Sequence, residues 1–210
     1  MTTEELKTRL TSTRSPERRS AAKAIGRSLV CDLGPDLAAA YQREALDKRT
    51  WETQVEMILA LGRIGYTLAL PSMEAIVRNN EPYSMITNAA AQSYVRLKRA
   101  SNNDARPVIE LLKFGRLSVV TGAPMPLAQD RMIPISTEIE ELVALSYNLH
   151  KHKDRRGTKL GSQDPRYGVA IACAGWDKKL TEKFLTHCLA TGDAVMRRVA
   201  ESSLKGKYTF

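Results

Sequence analysis

Long apolar runs are missing from this chain. No stretch approaches the eighteen or so uninterrupted apolar residues that a bilayer-crossing helix needs, so no membrane segment is expected. Histidine is scarce, with three in 210 residues. His150 and His152 stand two apart, and His187 sits beside Cys188 with no second Cys/His pair at zinc-site spacing, so neither a metal nor a cofactor is expected. Adjacent helical residues diverge by about 100°, which keeps His187 and Cys188 from forming a thiolate–imidazole pair. No GxSxG, Walker or dinucleotide-binding fingerprint occurs, and the reading leans away from an enzyme. Three cysteines with no CxxC pair fit reduced thiols in a cytoplasmic protein. The first ten residues carry four charges and no apolar run, so a signal peptide is not expected there. Aromatics make up only 6%, which argues against sheet.

Alanine and positive charge are what the chain has in quantity. Alanine favours helix and lets helices approach closely. Lys and Arg exceed Asp and Glu by nine, which draws acidic partners, whether a protein surface or nucleic acid. Hydrophobic residues at 43% and charged residues at 26% are a globular balance.

Self-similarity is the next signal. Ala24-Ile25-Gly26-Arg27 matches Ala60-Leu61-Gly62-Arg63 thirty-six residues on, and Ser93-Tyr94-Val95-Arg96 fills the same slots thirty-three residues later. Pro165 precedes Gly175 by ten residues, as Pro16 precedes Gly26. Such periods belong to helix-pair repeats. Ser15-Pro16 and Asp164-Pro165 read as a capping side chain before a first-turn proline, and Thr2 with Glu5, and Thr137 with Glu140, have capping-box spacing. The predicted helices are about 3–10, 15–30, 35–47, 51–64, 67–79, 82–99, 105–115, 137–150, 165–175, 177–190 and 194–205. Trp51, Val55 and Ile58 share one helical face, and Ile25, Val55, Ile58, Leu61, Leu142, Phe184 and Val199 are the expected core.

The strings AAKAIGR (21–27), ILALGRIG (58–65) and DAVMRRVAESSL (193–204) resemble the second helix of HEAT repeats, in particular the short PBS-lyase-like variety. The resemblance is good over residues 15–100, moderate over 162–207 and poor between. It implies an all-α fold, an α-α superhelix of about five helix pairs forming a single domain over 1–210. One HEAT-repeat family of iron hydroxylases uses paired His-Glu motifs, and no His-Glu dipeptide occurs here. A HEAT-like family of DNA glycosylases grips its substrate with aromatics and a carboxylate. Trp51-Glu52 and Trp176-Asp177 do not match that site residue by residue, and two capped, core-packing tryptophans explain them better. A tetrapyrrole lyase or chaperone is a minor reading, resting on the PBS-lyase-like resemblance alone.

Two stretches depart from the repeat. An irregular insertion spans 115–136, where Gly115, Gly122, Pro124, Pro126 and Pro134 forbid a continuous helix. Its apolar content predicts packing, with a short hairpin from 118–121 and 131–135. A basic loop at 150–163 holds Lys151, Lys153, Arg155, Arg156 and Lys159 against one Asp. Arg27, Arg63 and Arg96 occupy equivalent slots and would project as a ladder. These eight cations are the candidate partner-binding residues. The expected function is a non-enzymatic scaffold or adaptor that binds an acidic protein through this basic surface. The alternative is a nucleic-acid binder, with a relative of the repair glycosylases as one form of it.

Overall fold

The computed structural model describes residues 1–149 and 164–210, which are all-helical with no β-strand. The chain forms two compact units, Met1–Lys98 and Arg99–Phe210.

The first unit contains α1 (Thr3–Leu10), α2 (Ser15–Ser28), α3 (Gly34–Glu44), α4 (Trp51–Arg63), α5 (Leu70–Asn79) and α6 (Met85–Lys98). The expected capping box starts α1: Thr2 accepts from the Glu5 N–H while Glu5 accepts from the Thr2 N–H. Ser15, by contrast, is not a cap. Arg14 holds the cap position, and the Ser15 hydroxyl donates to the Glu44 carboxylate at 2.8 Å. Ser15 is itself the first helical residue, and its hydroxyl turns to the buried carboxylate, a charge-assisted acceptor. Burial pushes the Glu44 carboxyl up, but hydrogen bonds from Arg18, Ser15 and Thr50 outweigh this and hold it below its usual value. This knot joins α2 and α3, and Thr53 of α4 meets Ser15 at 2.8 Å.

α2 packs on α4 and α4 on α6, with α3 against α4 and α5 against α6. Small residues set the spacing. A Cβ on Gly26 would lie 2.9 Å from the Ala60 Cα, and one on Gly62 would lie 2.7 Å from the Ser93 Cα. Ala60 and Ser93 fill the same slot of successive copies, so the same contact occurs twice. The exits of α2 and α4 also agree. Leu29 and Gly65, thirty-six positions apart, both adopt the left-handed conformation, at φ 52° and 68°. The Val30 N–H then bonds the Ile25 carbonyl at 3.2 Å, and the Tyr66 N–H bonds the Leu61 carbonyl at 3.1 Å. A short 3-10 turn follows each, at Cys31–Leu33 and Thr67–Ala69. α3 and α5 come next, each with proline in its first turn.

The second unit contains α7 (Arg106–Phe114), α8 (Leu117–Gly122), α9 (Met125–Gln129), α10 (Ser136–Ser146), α11 (Tyr167–Ala172), α12 (Lys178–Thr191) and α13 (Ala194–Leu204). The segment expected to form a hairpin is not one. Residues 118–121 lie inside α8, where the Thr121 hydroxyl donates to the Leu117 carbonyl at 2.7 Å. Gly115 and the Pro124–Pro126 pair divide the segment into one- and two-turn helices rather than abolishing helix. Its apolar side chains are buried in part: Val119, Val120, Leu127, Ala128 and Met132 are in the core, Leu117 and Met125 are half-buried, and Ile133 and Ile135 are exposed. The expected Thr137–Glu140 capping box is absent, because α10 begins a residue earlier, with Ile135 at the cap and no side-chain bond. Nor is Gly175 equivalent to Gly26 and Gly62: it ends a 3-10 turn, and a Cβ there would meet the Tyr208 hydroxyl.

Of the seven expected core residues, Ile25, Ile58, Leu61, Leu142, Phe184 and Val199 are buried. Val55 is only half-buried, and Trp51 is 45% exposed. At about 100° per residue, the buried arc of α4 is centred near Leu61, and the 51/55/58 stripe lies along its edge.

Candidate binding surface

The arginines at the ends of α2, α4 and α6 sit in equivalent slots but differ in exposure. Arg27 is exposed, Arg63 half-buried and Arg96 only 8% exposed. The Arg63 stem crosses towards α2, its Cδ 3.6 Å from where a Cβ would stand on Gly26, the residue before Arg27. Their charges also meet the negative ends of their own helices, which favours cations there. Lys151, Lys153, Arg155, Arg156 and Lys159, together with His150 and His152, lie outside the described residues.

Between α2 and α4 runs an open trough of about 500 Å³. Pro16, Arg19, Ser20 and Lys23 of α2 form one wall, and Trp51, Glu52, Val55 and Glu56 of α4 the other. These residues recur every three to four positions, so each wall is one stripe of a helix. Arg19 pairs with Glu52, and Lys23 approaches Glu56 at 3.9 Å. Exposed pairs of this kind add little stability and exchange readily with other partners. Arg19, Lys23 and the trough itself were not singled out from sequence. The signal that could have found them is their i, i+4 spacing on α2, one repeat before the Glu52/Glu56 spacing on α4.

In the second unit Arg166 and Trp176 are buried and hydrogen-bonded. Arg166 is fully buried and donates to both Asp164 oxygens, at 3.0 and 2.6 Å, and to the Thr191 hydroxyl at 2.7 Å. It ties the chain before α11 to the end of α12. Trp176 is 5% exposed and donates its indole N–H to the Met132 carbonyl at 2.8 Å. Asp177 accepts from the Lys179 N–H at the start of α12. The expectation of a core-packing tryptophan therefore holds for Trp176 and fails for Trp51, whose place at the first residue of α4 leaves its ring at the mouth of the trough.

Cys188 is buried, and burial pushes its thiol up to about 12, far from the range of a reactive thiolate. Burial raises the Cys173 thiol as well, while Cys31 is exposed. His187 stacks near Tyr147, with ring centroids 5.1 Å apart. Among the described residues no cluster of three or more His, Cys, Asp or Glu side chains could hold a metal, and no helix is long and apolar enough to cross a membrane. No family model matches the chain, and no curated protein matches it.

Proposed function

We propose that this protein is a non-enzymatic scaffold of the HEAT-like kind, an α-solenoid whose stacked helices bind an acidic protein partner through a basic surface. The observation that carries the reading is the repeated close approach of Gly26 to Ala60 and of Gly62 to Ser93, which stacks α2, α4 and α6 side by side. Helices stacked in this way expose an extended surface rather than enclose a pocket, and such surfaces serve binding. The chain as a whole carries nine more cations than anions, and Arg27, Arg63 and Arg96 at the ends of these helices belong to that excess. The buried, high-pKa thiols of Cys173 and Cys188 and the hydrogen-bonded Trp176 and Arg166 are given over to packing, which fits a binding module better than a catalyst.

Nucleic acid is the second reading, favoured only by the same charge. The two separate in one pair of titrations at low salt, against random duplex DNA and against an acidic polypeptide such as polyglutamate. Binding of the polypeptide with poor affinity for duplex is the expected result. Tight, sequence-blind duplex binding that falls log-linearly with salt would replace the protein reading with the nucleic-acid one.

A further inference from the structure

We infer that the end of the α12–α13 pair where α12 starts and α13 finishes is the docking site for a short acidic segment of a partner protein, held by Arg131, Lys178, Lys179, Lys205 and Lys207. The inference rests on the protein-binding reading and names a site for it within the second unit.

Three stretches of sequence meet at this end. After α13 the chain turns back: Gly206 adopts φ 70°, and the Lys207 N–H bonds the Ser202 carbonyl at 2.9 Å. The turn lays residues 205–208 against those that precede α12. A Cβ on Gly206 would lie 3.7 Å from the Ala174 carbonyl oxygen, and the Tyr208 hydroxyl occupies the space that Gly175 leaves open. The third stretch arrives from the other side. The Arg131 guanidinium lies over the Tyr208 ring, 5.3 Å from its centroid, and the Trp176 indole bonds the Met132 carbonyl at 2.8 Å. Lys178 and Lys179 open α12 directly after Trp176 and Asp177. Four residues separate Lys178 from Ala174, a reach of about 14 Å at most. All five cations are exposed.

Elsewhere in this unit cations are matched. Arg99 pairs with Asp130, Arg106 with Asp104, Lys113 with Glu141 and Arg166 with Asp164. Among the described residues, none of the five cations at this end makes an ion pair. Asp130, beside Arg131, is balanced by Arg99 at 2.8 Å. Asp177 caps α12, where its side chain accepts the Lys179 N–H at 2.9 Å. The local count is therefore five positive charges against the single carboxylate of Asp177. The first-turn N–H groups of α12 add to the positive potential. Like charges gathered in this way repel one another and cost stability. The turn at Gly206 and the seat of Tyr208 hold them together all the same.

An anion complements this end, and its length follows from where the excess stops. One turn along α12 Glu182 stands beside Lys183, and on α13 Glu201 lies one turn before Lys205. A duplex carries one negative charge per about 1.7 Å without interruption, so it would run on over these carboxylates. A segment with a few carboxylates ends before it meets them. At about 3.3 Å per residue, five extended residues cover about 16 Å, the span of the cluster. Four of the five cations are lysines, compact charges on flexible stems, which follow carboxylates in many arrangements where an arginine fork selects one. The site therefore reads the number of acidic side chains rather than their order.

The test titrates the full chain into labelled hexaglutamate at low salt and follows anisotropy. Lys178→Gln with Lys207→Gln should weaken binding about fivefold to tenfold, and the loss should vanish as salt rises. The control is Arg197→Gln with Arg198→Gln, which removes the same charge from exposed positions in the first half of α13. It should weaken binding less than about twofold. Tyr208→Ala keeps every cation but releases the tail, and should weaken binding as well. The lysine double variant relieves repulsion, so its thermal midpoint should stay level or rise, which separates lost binding from lost fold.

Equal losses in the two double variants would overturn the inference, since net charge alone would then explain binding. Duplex DNA that binds more tightly than hexaglutamate, and loses that binding in the lysine variant, would overturn it by making nucleic acid the occupant. If polyglutamate and hexaglutamate bind while the lysine variant changes nothing, the site is wrong and the protein-binding reading stands. If neither polypeptide binds, both fall.

Discussion

Pro16 precedes Gly26 by ten residues in the first unit, and Pro165 precedes Gly175 by ten in the second, yet the two glycines do different work. Gly26 faces the backbone of α4, with 2.9 Å between a would-be Cβ and the Ala60 Cα. Gly175 faces the tip of one side chain, the Tyr208 hydroxyl. The local pattern of proline then glycine marks a helical segment in both places. What the glycine permits depends on the neighbour, and the neighbour is supplied by sequence far away. In Met1–Lys98 that neighbour is another copy of the same helix, so the glycine contact and the exit hydrogen bond of α2 recur in α4 thirty-six residues on. In Arg99–Phe210 short helices, a buried Arg166–Asp164 pair and the Trp176 indole take over the work of joining elements.

The largest expected effect asks whether the irregular unit is packed as firmly as the regular one. Phe184 is fully buried and meets the Tyr147 ring edge-on, with centroids 5.5 Å apart. Phe184→Ala should cost about 3–5 kcal/mol in urea unfolding. A loss under about 1 kcal/mol would show a second unit far looser than the first.

Next in size is the glycine contrast itself. Gly62→Ala drives a Cβ to within 2.7 Å of the Ser93 backbone, which cannot swing aside, and should cost about 1–3 kcal/mol. Gly175→Ala presses only on the end of a tyrosine, which can rotate, and should cost less than about 1 kcal/mol. Equal losses in thermal or chemical unfolding would break the comparison.

Asp104 offers a smaller, pH-dependent test within the second unit. The Arg106 guanidinium, with the Ala100 and Arg106 N–H groups, draws its carboxyl down to about 2. Its folded-state pKa is depressed, so its contribution is complete above the ordinary aspartate range near 4 and fades as pH falls towards 2. Wild type should therefore exceed Asp104→Asn in melting temperature at pH 6, and the gap should close by about pH 2. A gap that persists unchanged at pH 2 would mean the carboxylate is not the source.

The smallest effect probes the repeated helix exit. Leu29 adopts at φ 52° the conformation that Gly65 adopts at 68°, and its side chain is exposed. Leu29→Gly should stabilise by about 0.5–1 kcal/mol, and Gly65→Ala should destabilise by a similar amount. Opposite signs are expected because the backbone is the same and only the residue differs.

Helix positions were legible because proline, capping residues and the AxGR slots are local signals. Helices expected at 3–10, 51–64, 105–115 and 194–205 appear at Thr3–Leu10, Trp51–Arg63, Arg106–Phe114 and Ala194–Leu204. What failed depended on distant partners. Ser15 reads as a cap until Glu44 stands beside it. Trp51, Val55 and Ile58 read as one core stripe until the buried arc of α4 is fixed by α2, α3 and α6. The trough was hidden for the same reason, since its two walls come from helices a repeat apart. The arginine ladder was legible as a set of equivalent slots, while its graded exposure from Arg27 to Arg96 was not.

The candidate cations are the centre of the proposed function: Arg27, Arg63 and Arg96 near the ends of α2, α4 and α6, and those of the sequence stretch 150–163. The most direct test is the association rate of the wild-type chain with polyglutamate at low salt, set beside Arg27→Glu, Arg155→Glu and the double variant. The expected result is a slower rate in each single variant, a further drop in the double, and convergence of all four as salt rises. Rates that match wild type in the double variant, at low salt and with the helical spectrum intact, would contradict a basic surface that gathers an acidic protein.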